Sequence, residues 1–80
     1  MNNTYKLRYP VMDGDQEIKE INFRRPNAAD IKRAQKNDTD AGQTASLLVD
    51  CAEIPPSVVD QFDIYDFVQL GNKMGEFTKG

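Results

Sequence analysis

Residues 62–77, FDIYDFVQLGNKMGEF, constrain the fold of this chain more than any other stretch. Asp63 and Asp66 stand at the spacing of an N-cap and an N3 residue, for a helix that begins at Ile64. From there Ile64, Phe67, Val68, Gly71, Met74 and Gly75 recur at helical spacing, with Leu70 and Phe77 on the flank. Two glycines one turn apart on an otherwise bulky apolar stripe need a reason, because glycine inside a helix costs about 1 kcal/mol relative to alanine. The stripe therefore faces something that comes close. Either helix two, with its small residues Ala41, Ala45 and Ala52, packs tightly there, or the face is a groove for a partner.

The rest of the chain reads as a hairpin followed by helices. Tyr5, Leu7, Tyr9 and Val11 alternate with Lys6, Arg8 and Pro10, the period of a strand with one covered face over residues 5–11. Asp13-Gly14 marks the turn, and residues 17–24 return with Ile21 and Phe23 on a shared face. Ile18 falls on the other face, which calls for a bulge or a second apolar contact. Pro10 lacks an N–H and places its strand at a sheet edge. Beyond Pro26, Asn27 with Asp30 caps a first helix that runs to about residue 36, with Ala28, Ile31 and Gln35 on one side. Asp40 with Gln43 caps a second helix, whose stripe is Ala41, Ala45, Leu48, Cys51 and Ala52. Ile54-Pro55-Pro56 stops it, and Ser57 with Asp60 caps a short turn before the last helix. The expectation is an α+β chain: one N-terminal antiparallel β-hairpin (residues 1–26) packed on three to four short helices (27–80), as a single domain. Tyr5, Leu7, Ile21 and Phe23 should be buried against the helices, since an isolated hairpin is barely stable.

Composition excludes several functions. Eighty residues bury only about 60–65% of their unfolded surface, so the core is small. No apolar run approaches a membrane span, and the first ten residues have no secretory h-region. The lone Cys51 lies on an apolar stripe with no histidine anywhere in the chain, which makes it core filler in a reducing, cytosolic setting. Asp60, Asp63 and Asp66 follow helix-cap spacing more simply than metal-ligand spacing, and Gly42, Gly71 and Gly75 fall in helices, not in a phosphate loop. We expect no catalytic residues, no cofactor and no metal.

Two surface features remain. Residues 1–36 carry eight Lys/Arg against five Asp/Glu (+3), and residues 37–80 two against eight (−6). Arg24, Arg25, Lys32, Arg33 and Lys36 form either a solvated helix face or a basic patch for an acidic partner. The asymmetry would also let copies associate head to tail, with Arg24, Arg25, Lys32 and Arg33 against Asp60, Asp63, Asp66 or Glu76. The second feature is the face of Phe67, Leu70, Gly71, Met74, Gly75 and Phe77.

Tyr9-Pro10-Val11, Asp13-Gly14, Phe23-Arg24-Arg25-Pro26 and Ala29-Asp30-Ile31 resemble the N-terminal half of the small tail assembly chaperones of Mu-like tailed phages and prophages. Asp63-Ile64-Tyr65-Asp66-Phe67, continuing to Gly75-Glu76-Phe77, is similar to their C-terminal helix. The resemblance implies a non-enzymatic, non-virion protein of the bacterial host cytoplasm. It would bind the tape measure protein and keep it soluble during tail tube assembly, with the tail tube protein and further copies of itself as additional partners, and neither nucleic acid nor membrane. A helical client of that kind needs apolar grooves and charge, which Arg24, Arg25, Lys32, Arg33, Phe67, Leu70, Gly71, Met74, Gly75 and Phe77 would provide. The alternative is a small regulatory adaptor binding nucleic acid or an acidic protein through the basic patch. The acidic C-terminal half argues against nucleic acid.

Overall fold

The computed structural model describes residues 3–80, so the first two residues of the expected hairpin lie outside the described residues. Strand β1 (Asn3–Asp13) pairs antiparallel with β2 (Gln16–Phe23) as a two-stranded sheet. The helices α1 (Ala28–Ala34), α2 (Asp40–Ala52), α3 (Pro56–Val59) and α4 (Ile64–Glu76) follow, and α4 tightens into a 3-10 turn at Phe77–Lys79. This is the expected α+β hairpin-and-helices arrangement. Asp13 pairs with Gln16, leaving Gly14 and Asp15 as the loop. Gly14 takes φ +61 while Asp15 stays negative, the pattern of a II′ hairpin turn with glycine first.

The hairpin carries the irregularity that Ile18 called for. Tyr5 pairs with Ile21 and Lys6 with Glu20, but then Val11 pairs with Ile18, so Leu7, Arg8, Tyr9 and Pro10 stand opposite Lys19 alone. The bulge contains Pro10, which has no N–H to lose. It also brings Ile18 round to pack on the core beside buried Val11, although Ile21 and Phe23 sit on the opposite parity. Leu7, Val11, Ile21 and Phe23 from the hairpin join Leu48, Cys51, Val58, Val59, Phe62, Leu70 and Met74 from the helical part in one apolar cluster. Tyr5, expected to be buried, is half-buried at its margin.

The caps differ in instructive ways. Asn27 and Asp30 make the expected reciprocal capping box on α1. Helix α2 is capped one residue earlier than expected, by Thr39, whose hydroxyl accepts from the Gly42 N–H; the Gln43 amide instead bonds the Asn37 carbonyl. Helix α3 has no side-chain cap. Pro55 stands at its N-cap and Pro56 at its first turn, where a missing N–H costs nothing, so Ser57 is not needed. Helix α2 ends with Glu53 in the left-handed region (φ 56), one residue ahead of the Pro55-Pro56 stop. Asp63 caps α4 through the Tyr65 N–H, but Asp66 does not complete a capping box; it leaves the helix for the hairpin.

Candidate functional site

Two carboxylates with no solvent exposure, Asp30 and Asp66, organise the surface. Asp30 accepts Arg24 through both guanidinium nitrogens, at 2.7 and 3.0 Å, Arg33 at 2.6 Å and the Asn27 N–H at 2.9 Å. Arg33 also reaches Asp50 at 2.9 Å. The Arg24 bonds and the Asn27 N–H outweigh burial and hold the Asp30 carboxyl well below the usual carboxylate range; the bond to Asp30 in turn raises the Arg24 guanidinium, and Asp50, with Asp30 second, raises that of Arg33. The buried residues of α1 are Asp30 and Ala34, while Ala28, Ile31 and Gln35, grouped on one side by the sequence, are all exposed.

Asp66 closes the bulge of β1. Its Oδ1 accepts the Arg8 N–H at 3.0 Å and the Tyr5 hydroxyl at 2.7 Å, and its Oδ2 accepts the Tyr9 N–H at 3.0 Å. Burial pulls this carboxyl upward, but the two backbone N–H groups and the Tyr5 hydroxyl prevail and its pKa falls. Burial and the bond to Asp66 push the Tyr5 hydroxyl up to about 12. Beside it, Gln61 accepts the Met12 N–H at 3.1 Å and donates to the Met12 carbonyl at 2.7 Å, as a neighbouring strand would.

With Asp66, Leu70 and Met74 turned inward, α4 leaves a second apolar line facing solvent. Ile64, Val68, Gly71, Gly75 and Thr78 lie within about 80° of arc at 100° per residue. Ile64 is 72% exposed and Val68 47%. Towards its C-terminal end the line opens into a groove of ≈ 390 Å³, floored by Gly71, Met74 and Gly75 and walled by Ile31 of α1, Thr44 and Leu47 of α2, and Phe77. A Cβ on Gly71 would meet Thr44 at 3.4 Å, whereas one on Gly75 would meet nothing within 4 Å. The two glycines thus split the alternatives that the sequence left open. Gly71 borders α2, and Gly75 borders open space.

The expected contact residues disperse across this surface. Gly71, Met74, Gly75, Phe77 and Arg25 line the groove. Arg25 bonds the Phe77 carbonyl at 2.8 Å and stacks over its ring at 5.3 Å. Phe77 in turn meets Phe23 edge-on, with centroids 6.2 Å apart. Leu70 is fully buried and Phe67 half-buried against the core, so neither is an open contact. Arg24 and Arg33 are held by Asp30 and Asp50, which leaves Arg25, Lys32 and Lys36 as exposed cations of the basic patch with no carboxylate partner among the described residues. Of the head-to-tail charges, Asp66 is likewise spent inside the chain. Sequence reasoning missed Ile31 and Leu47 as groove walls, and also Tyr9, Met12 and Tyr65, which are exposed beside the bulge with Arg8 stacked over the Tyr65 ring at 5.1 Å. The exposed Ile64–Val68 line was detectable from i, i+4 spacing, but Phe67 and Met74 merge it with the inner face.

Among the described residues no helix is long and apolar enough to cross a membrane. A family model described as phage tail assembly chaperone proteins, E, or 41 or 14, matches residues 4–79. No curated protein and no solved structure matches the chain.

Proposed function

The chain belongs to the phage tail assembly chaperone proteins, and from that membership we propose that it binds the tape measure protein of its phage and keeps it soluble while the tail tube assembles. The action is non-enzymatic and takes place in the host cytoplasm, with the chain working as one unit and the tail tube protein as a further partner. The observation that carries this reading is the second apolar line of α4, which runs from Ile64 and Val68 into a groove floored by Gly71 and Gly75. Spacings of four, three and four residues match the a and d positions of a helical seam. A long amphipathic helix laid along it would place apolar side chains on Ile64 and Val68 and bring its backbone close over Gly75. Arg25, Met74 and Phe77 complete the contact.

Co-expression with the tape measure protein tests this. Val68→Asp and Gly75→Leu change groups that touch solvent or open space, so both variants should keep the wild-type circular dichroism spectrum, with a melting temperature close to wild type for Val68→Asp and no lower than wild type for Gly75→Leu, where helix propensity improves. Each should lose most of the soluble client that the wild type retains. Folded variants that hold the client in solution as well as wild type would place the contact elsewhere.

A further inference from the structure

We propose that the outer edge of β2 is a self-association surface, on which a second copy of this chain adds its own β2 antiparallel to form a four-stranded sheet. The two edges of the hairpin are unequal. That of β1 is occupied: Asp66 takes the Arg8 and Tyr9 N–H groups, and the Gln61 amide takes both polar groups of Met12. Among the described residues no strand pairs with β2 on its outer side, and residues 16–20 are exposed apart from half-buried Ile18. Unpaired strand edges are templates for another strand.

Charge identifies the occupant. Glu17 and Lys19 lie on one face, 3.5 Å apart, at 51% and 75% side-chain exposure, while Ile18 packs towards the core. A two-fold axis through Ile18 sets Glu17 of each copy opposite Lys19 of the other and Ile18 against Ile18. The like faces of both hairpins then share one side, so the helices of both copies cover the same face of the sheet. Moving the axis to Glu17, Lys19 or Glu20 sets a like pair opposite itself, which is unfavourable. Of these four registers, only the one through Ile18 sets opposite charges opposite each other. This surface is separate from α4, so its failure would leave the client-binding reading untouched.

Sedimentation of the wild type across a concentration series should show a reversible monomer–dimer equilibrium. Lys19→Glu gathers four acids at the junction and should raise the dissociation constant by about tenfold or more, with the circular dichroism spectrum unchanged. The double swap Glu17→Lys with Lys19→Glu restores the complementary pattern and should recover the dimer. The proposal is overturned by a wild type that stays a single chain up to about 1 mM, the weak end of specific association. It is equally overturned by Lys19→Glu dimerising as wild type does, or by a folded double swap that remains monomeric.

Discussion

The hydrogen bonds of a bulge present a local problem: residues inserted in one strand have backbone N–H groups with no carbonyl opposite. Here Asp66 answers it from 57 and 58 residues away in the chain, accepting the Tyr9 and Arg8 N–H groups with separate oxygens. A hydrogen bond to a charged group contributes about 1.5–3 kcal/mol, and a buried donor left unpaired is costly as well. In Asp66→Asn one oxygen becomes an NH₂ facing an N–H donor, so we expect a loss of about 2–4 kcal/mol in urea denaturation. Tyr5→Phe removes only the hydroxyl bond, at a half-buried site, and should lose about 1.5 kcal/mol, the low end of that range. An Asp66→Asn variant no less stable than Tyr5→Phe would show that the bonds to the bulge contribute little.

At the scale of elements, the hairpin and α4 were legible because their apolar residues repeat at periods of 2 and 3.6 over enough positions to fix type and extent. The faces were less so. Counting Asp66 as polar surface rotates the apparent inner face of α4 towards Gly71 and Gly75, when the buried line is Asp66, Leu70 and Met74. Asp30 misled in the same way on α1: read as a cap on the surface, it is buried with Ala34, while the side of Ala28, Ile31 and Gln35 is exposed. A buried carboxylate looks like a solvated one until its donors are known, and those donors lie in other elements. The same limit hid the engagement of Arg24 and Arg33, which composition presents as free charge. What the period does show is that α4 carries more apolar residues than one face can use. Gly75 then becomes a direct question about the helix itself. A Cβ there meets nothing, so Gly75→Ala should add about 0.5–1 kcal/mol of stability by helix propensity alone. The denaturation midpoint measures this. A destabilised Gly75→Ala would mean that the fold needs the glycine and that the open groove is not its reason.

For the molecule as a whole, Asp30 and Asp66 tie the hairpin junction and the hairpin bulge to the helices, and both are held as carboxylates by what they accept. Their pKa values are lowered in the folded state, so the unfolded chain binds protons first as pH falls. The stability they contribute is fully present above the unfolded value of about 4 and is lost progressively below it. There is no histidine, burial pushes the Cys51 thiol up, and the Tyr5 hydroxyl stands at about 12, so none of these groups titrates between pH 5 and 8. Surface charge works in two stages against this background. Protonation first cancels the net −3, a small relief of repulsion, and then leaves ten Lys/Arg unbalanced, which adds to the loss. Paired buried carboxylates outweigh screened surface repulsion at physiological salt. The urea midpoint should therefore be level from about pH 5 to 8 and fall steeply below about pH 4. In Asp66→Asn the midpoint starts lower but the acid limb is shallower, because one proton-linked contribution is already gone. An acid limb as steep as wild type in that variant would mean that Asp66 does not carry the pH dependence, and that general charge repulsion does.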